Sequence, residues 1–404
     1  MKAIFDLLLG VVTSIGGFVE IGSISTSAQA GYEFGYQLLW AVAIATLMLA
    51  MLCEMSGRLA AVRKRPLAAA IRERFGVHFQ TVTLGAELAI DLLLLAAEIG
   101  GVAIAIKLIS GVGMIWTVLP IALAVWLVLW FCGFGIIEYG IGLLGLVTTC
   151  FVVAAWRLHP DTTDLARSLL PSLPAQDRLR YSFLAVSIVG ATVSPYLLNF
   201  YSSGCVEEKM TEAELWVDRI TAYAGTCFGG VVSMGILVTS AIVLGPLNIV
   251  VDSFDQAAVM LVPVFGRWAI GLFAASLGIG CFGAALEITL NAGNLIAQFG
   301  GWRWGVSRPR REAPRFVIAF TIILAGSLAI IATGVDPLQL TMISVALTVM
   351  VMPAVVLPFL VLMNDPAYVK DHVNGPVANC VLAILTIAGA AMAIVIVPLE
   401  ILGG

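Results

Sequence analysis

Ile15-Gly16-Gly17-Phe18-Val19-Glu20-Ile21-Gly22-Ser23 and Gly190-Ala191-Thr192-Val193-Ser194-Pro195-Tyr196 each break an otherwise apolar segment with glycine, proline and polar side chains. Lipid offers backbone groups no hydrogen bonds, so non-helical backbone at membrane depth is tolerated only where it is buried in protein or lines a polar cavity. A spanning helix gains nothing from such residues unless the exposed backbone has a role there. Breaks at corresponding positions of two halves are the pattern of a secondary transporter's substrate site.

The rest of the chain supports a membrane protein. It has 404 residues, 60% hydrophobic and 11% charged, with mean hydropathy +1.04. A soluble domain carries about 25% charged residues. The first apolar run begins at Ala3 and outlasts a cleavable signal, which predicts that none is removed. Seven scattered cysteines form no CxxC or Cys/His pattern and read as small apolar residues.

Eleven apolar spans are expected, at roughly 3–31, 36–57, 79–109, 114–131, 134–156, 181–203, 220–244, 266–298, 315–333, 338–363 and 376–399. Together they form a single transmembrane domain, 1–404. The breaks fall in spans one and six, as a five-plus-five inverted repeat would place them: about 3–156, about 181–363, and one extra helix at about 376–399. With the N-terminus inside, 15 of the 21 basic residues fall on the inner side. The positive-inside rule therefore predicts a cytoplasmic N-terminus and, with an odd span count, an extracytoplasmic C-terminus.

Charged residues at membrane depth are functional candidates by default. Glu20 lies between Gly17 and Gly22, and its carboxylate is the one charge in either break. Ser23, Ser194 and Asn199 can add neutral oxygens, although such serines often bond back to the preceding turn. Pro195 lacks a donor and frees carbonyls near Ala191. In span three, Glu87 and Asp91 stand one turn apart and Glu98 seven residues further on, a stripe along one face. Such a stripe reads as a proton or cation path, or as partners for basic residues on a neighbouring helix. Glu54, Glu138 and Glu287 are further acidic candidates, with Glu54 and Arg58 spaced for an ion pair. No nucleophile–base set, phosphate loop or cofactor motif is present, so an enzyme is not expected and no cofactor is required. The expected partners are the transported ion or solute and the bilayer, with no nucleic acid and no obligate protein partner.

At this level the chain resembles the natural resistance-associated macrophage protein (NRAMP) divalent-metal transporters. Gln29-Ala30-Gly31-Tyr32-Glu33-Phe34-Gly35-Tyr36-Gln37-Leu38-Leu39-Trp40 is similar to the end of that family's first helix. Arg58-Leu59-Ala60 and the run to Arg72-Glu73-Arg74-Phe75 resemble its second helix and inner loop. Gly190-Ala191-Thr192-Val193 leads the sixth helix, and Ser344 to Pro358 resembles the tenth. The resemblance covers nearly the whole chain. It implies an all-α fold of eleven transmembrane helices, LeuT-type with broken helices one and six, and transport across a bacterial inner membrane.

The binding motifs depart from the family. Its first-helix Asp-Pro-Gly-Asn falls on Glu20-Ile21-Gly22-Ser23, and its sixth-helix Met-Pro-His on Ser194-Pro195-Tyr196. Carried over, the metal ligands become Glu20, Ser23, Ser194 and the carbonyls of Gly17 and Ala191. The proton-coupling histidine becomes Tyr196. Glu98 matches a family acid, while the aspartate one turn earlier falls on Leu95 and the tenth-helix glutamine on Val345. The soft thioether that favours transition metals is gone. The oxygen-only set that remains suits a hard divalent cation such as Mg²⁺ or Mn²⁺. The same scaffold moving an organic or anionic solute, with H⁺ or Na⁺ coupling, and a receptor that transports nothing stay open as alternatives.

Overall fold

A computed structural model describes residues 20–174 and 177–401. Those residues are helical, with no strand among them. The first described helix, α1 (Ile21–Phe34), begins directly after Glu20, in the middle of the first expected span. It is followed by α2 (Leu39–Arg63), the short α3 (Leu67–Phe75), α4 (Val77–Ser110) and α5 (Met114–Phe131). Next come α6 (Phe134–Gly145) and α7 (Thr149–Arg157), joined by a single 3₁₀ turn. The second half holds α8 (Arg178–Thr192), α9 (Pro195–Glu207), α10 (Leu215–Leu247), α11 (Ala269–Phe299), α12 (Pro314–Ala332), α13 (Pro337–Met363) and α14 (Pro376–Ile401). Ten helical stretches among the described residues are long and apolar enough to cross a membrane. The remaining expected span, the first, extends beyond the described residues.

The sixth span is broken where the sequence predicts. Helix α8 ends at Thr192, Val193 leaves the helical conformation, Ser194 is extended, and α9 restarts at Pro195. Proline suits this first helical position because its missing N–H would have no helical acceptor there. The same residue ends α8. Pro195 stands four residues after Ala191, so the helical bond to the Ala191 carbonyl cannot form.

Lipid is as apolar as a leucine side chain, so these helices gain nothing from merely burying apolar surface against one another. Close approach of small residues replaces that driving force. Gly190 sits against the backbone carbonyl of Val345 on α13, and Gly31 against the carbonyl of Leu237 on α10. Helix α4 packs along α11 and α13, and α10 packs along α1 and α2. Large apolar side chains such as Val82, Ile115, Trp116, Leu119 and Phe131 are exposed, as a lipid-facing surface requires.

Polar clusters tie the two ends of the bundle. At one end Arg180, in the first turn of α8, donates to Glu33 on α1 at 2.7 Å, to Glu400 on α14 at 3.1 Å and to Gln29 at 3.2 Å. A cation at a helix N-terminus opposes the helix dipole, and the two carboxylates offset it. At the other end Arg58 pairs with Glu54 at 3.1 Å, as their spacing predicts, and reaches Asn374 and the His372 carbonyl. Arg219 lies 3.5 Å from the second Glu54 oxygen.

Candidate ion-binding site

Glu20 is the N-cap residue of α1, extended at φ −98° and ψ 178°, and its side chain does not cap the helix. Instead the carboxylate crosses to the other break. The Tyr196 hydroxyl, in the first turn of α9, donates to Glu20 Oε2 at 2.8 Å. Glu20 is 2% exposed and its Oε1 has no hydrogen-bond partner. A buried carboxylate oxygen without a partner is costly, so this atom is the feature of the site that calls for a ligand. The absent side chain of Gly22 leaves it room. A methyl group there would stand 3.3 Å from Oε1, 3.3 Å from Ala191 Cβ and 3.1 Å from Val345 Cγ1. One oxygen therefore faces the end of α8, the flank of α13 and the start of α1.

The other predicted residues divide. Ser23 is buried in the first turn of α1. Ser194 lies in the extended link with its hydroxyl donating to the Gly190 carbonyl at 3.0 Å, the back-bonding expected of such serines. Its lone pairs stay available, and the Ala191 carbonyl beside it lacks its helical donor for the reason given above. Glu98 joins this group: its Oε2 accepts the Ile21 N–H at 3.5 Å, while its Oε1 is unpartnered. The first turn of α1 thus has Glu20 on its N-cap and Glu98 against its leading N–H. Gly17 lies outside the described residues, as does the side chain of Glu138.

Asn199 is placed elsewhere. It points to Glu87, donating at 2.8 and 3.1 Å to the two carboxylate oxygens, and takes no part around Glu20. The stripe on α4 consequently splits, with Glu98 at the break and Glu87 with Asp91 forming a second buried group about 10 to 16 Å away along the helix (1.5 Å rise per residue). None of these three acids belongs to an ion pair among the described residues. Basic partners on neighbouring helices are therefore not what holds them there.

Sequence reasoning missed two buried polar groups, one within the second acidic group and one apart from it. Asn291 on α11 donates to Asp91 Oδ2 at 3.2 Å and to Glu87 Oε1 at 3.4 Å. Its signal was available, because Asn291 and Asn294 are amides in the middle of an apolar span. Asp218 is 2% exposed and accepts the Tyr201 hydroxyl at 2.9 Å. Starting that span at 220 put Asp218 in the loop, whereas α10 begins at Leu215. No three acidic, histidine or cysteine side chains converge among the described residues. A cation held here must complete its coordination with hydroxyl, amide or carbonyl oxygens.

A buried carboxylate at the start of α1, met by Tyr196 from the break between α8 and α9, sits inside a bundle of membrane-length helices, the architecture of a membrane transporter of the LeuT type. A family model described as natural resistance-associated macrophage protein-like matches residues 10–398. The chain belongs to the Nramp family. The divalent metal cation transporter MntH of Aeromonas hydrophila is 26% identical over 381 residues, covering 90% of this chain and 88% of that protein. A crystal structure of a variant of the Eremococcus coleocola manganese transporter superposes with TM-score 0.78 at 20% identity, over 96% of this chain and 85% of that one. The fold extends further, to a nucleobase-cation-symport-1 family transporter with TM-score 0.64 at 13% identity, over 97% of this chain and 92% of that one.

Proposed function

We propose that this chain carries a hard divalent cation, Mg²⁺ or Mn²⁺, across the membrane with Glu20 as its main anionic ligand. The observation that carries the proposal is the buried, unpartnered Glu20 Oε1 at the start of α1, beside Tyr196 from the break between α8 and α9. In this reading the hydroxyls of Ser23 and Ser194 and the Ala191 carbonyl, all hard oxygen donors, complete the coordination. Tyr196 orients the carboxylate. The divalent cations named for the relatives support the same class of substrate. An anionic solute fits poorly, because Glu20 and Glu98 already face the positive end of α1. Glu98, Asp91 and Glu87 form the route for protons or the cation along α4. Uptake of Mg²⁺ and Mn²⁺ by proteoliposomes tests the proposal, and a wild type that moves neither ion overturns it.

Ligand softness gives a separate check. With no thioether at the site, Cd²⁺ is expected to bind the wild type no more tightly than Mn²⁺. Ser194→Met restores a soft donor and is expected to tighten Cd²⁺ at least tenfold, which is about 1.4 kcal/mol. Calorimetric titration of both proteins reads the difference. Tight Cd²⁺ binding by the wild type would contradict the hard-site assignment.

The distribution of basic residues supports an orientation with the N-terminus cytoplasmic and the C-terminus extracytoplasmic, in the inner membrane of a bacterium. Ser307 and Asp255 lie beyond opposite ends of the 31-residue α11, which is about 46 Å long at 1.5 Å per residue. In a cysteine-depleted background, a cysteine at 255 is expected to react with an impermeant reagent from outside, and one at 307 only after permeabilisation. The opposite pattern would reverse the orientation.

A further inference from the structure

Glu87 and Asp91 form a buried pair with unusual company. Glu87 is 4% exposed and Asp91 1%. Asn199 from α9 donates to both Glu87 oxygens, and Asn291 from α11 bridges Glu87 and Asp91. Each amide spends its NH₂ group on carboxylate oxygens, and the Oδ1 of each has no hydrogen-bond partner. Asn199 is 3% exposed and Asn291 0%, so no solvent satisfies those oxygens. Asn294, one turn along α11, also has an unpartnered Oδ1. Two carboxylates and two amides from three helices therefore converge with an excess of acceptors and no basic side chain.

Two buried carboxylates bridged by one neutral amide are stable only if a proton or a cation offsets their charge. The oxygen and nitrogen of an asparagine amide exchange places by a half-turn about one side-chain bond, and their assignment follows from the hydrogen-bond network. With a cation between Glu87 and Asp91, both amides turn over and present their unpartnered oxygens. The donors are then all hard oxygens, and the two carboxylates match a divalent charge.

We propose that Glu87, Asp91, Asn199 and Asn291 form a second binding site for a hard divalent cation, a resting point beyond the Glu20 site. It rests on the cation-transport proposal above. It lies toward the start of α4, the end joined to α3 with its Arg72 and Arg74. An ion leaving Glu20 along α4 passes Glu98 and then meets this group.

Equilibrium binding of Mn²⁺ to the purified full-length protein, with free ion read by electron paramagnetic resonance, tests the two sites separately. The wild type is expected to bind two equivalents, Glu20→Gln one, and Glu87→Gln/Asp91→Asn one. If Glu87→Gln/Asp91→Asn binds as many equivalents as the wild type, the inner site is overturned while Glu20 is judged by its own variant. If only the Glu87/Asp91 change removes an equivalent, the inner site stands and the Glu20 assignment falls. A wild type that binds no Mn²⁺ overturns both. Asn291→Asp keeps the side-chain volume and adds a negative oxygen, so it carries the test if the double variant does not fold. It is expected to tighten the inner equivalent at least tenfold and leave the Glu20 equivalent unchanged. An unaltered inner affinity would overturn the site.

Discussion

Proteoliposomes carrying Glu20→Gln are expected to take up Mg²⁺ and Mn²⁺ at least ten times more slowly than those carrying the wild type. The carboxylate is the one charge the two breaks bring to their junction, and a glutamine keeps its shape without it. Two unit charges 4 Å apart at an effective dielectric constant of 20 attract by about 4 kcal/mol, and a divalent ion doubles the product of charges. Tenfold is only about 1.4 kcal/mol, so an order of magnitude is the lower bound. Folding is expected to survive. The Tyr196 hydroxyl donates to Oε2 at 2.8 Å, and the glutamine amide oxygen accepts the same bond. Uptake equal to the wild type's, from a variant that elutes as a folded monodisperse protein, would remove Glu20 from the ion path.

Gly190→Ala is expected to damage both stability and transport. A methyl group at Gly190 would run into the main-chain carbonyl of Val345, with Val349 behind it. A backbone carbonyl in a packed helix cannot rotate aside, so α13 must move off the break. Overpacking of this kind costs about 1–3 kcal/mol. Val345 also lines the space beside Gly22 and Glu20, so the displacement reaches the proposed ion site. Gly85→Ala is the matched control, because Gly85 lies on the exposed side of α4 with no atom near its missing Cβ. There the alanine is expected to be neutral or slightly stabilising through helix propensity. Thermal melting of the two variants in detergent separates the effects. Equal melting temperatures would show that α8 and α13 do not need their close contact.

Much of this architecture is written locally. Apolar run length sets where helices span, so the expected spans from 36–57 onward return as helices with shifted ends. Glycine and proline chemistry sets where a helix must stop, and Pro195 ends α8 because it lacks an N–H, whatever surrounds it. The i,i+4 spacing of Glu54 and Arg58 is likewise a property of one helix, and the pair forms at 3.1 Å. Family membership was legible from short segments of the first, second, sixth and tenth helices and the inner loop, which are read residue by residue without any long-range contact.

Which buried groups face each other was not legible, because that depends on the rotation and crossing of helices distant in sequence. Asn199 reads as a neighbour of Ser194 and Tyr196, five and three residues away, yet helical rotation turns it to Glu87 on α4. Asn291 reaches Glu87 across 204 residues of chain, and no local pattern announces that contact. The α4 acids read as one stripe, but the start of α1 takes Glu98 while α9 and α11 take Glu87 and Asp91. By itself the sequence determined a membrane-embedded helical protein with two breaks, a carboxylate in one of them and no soft ligand in the other. Only the tertiary structure decided that Tyr196 reaches across to Glu20 and that the acids of α4 part into two groups. Hydropathy and backbone chemistry act over a few residues, whereas the partners of a buried charge are chosen by the packing of whole helices.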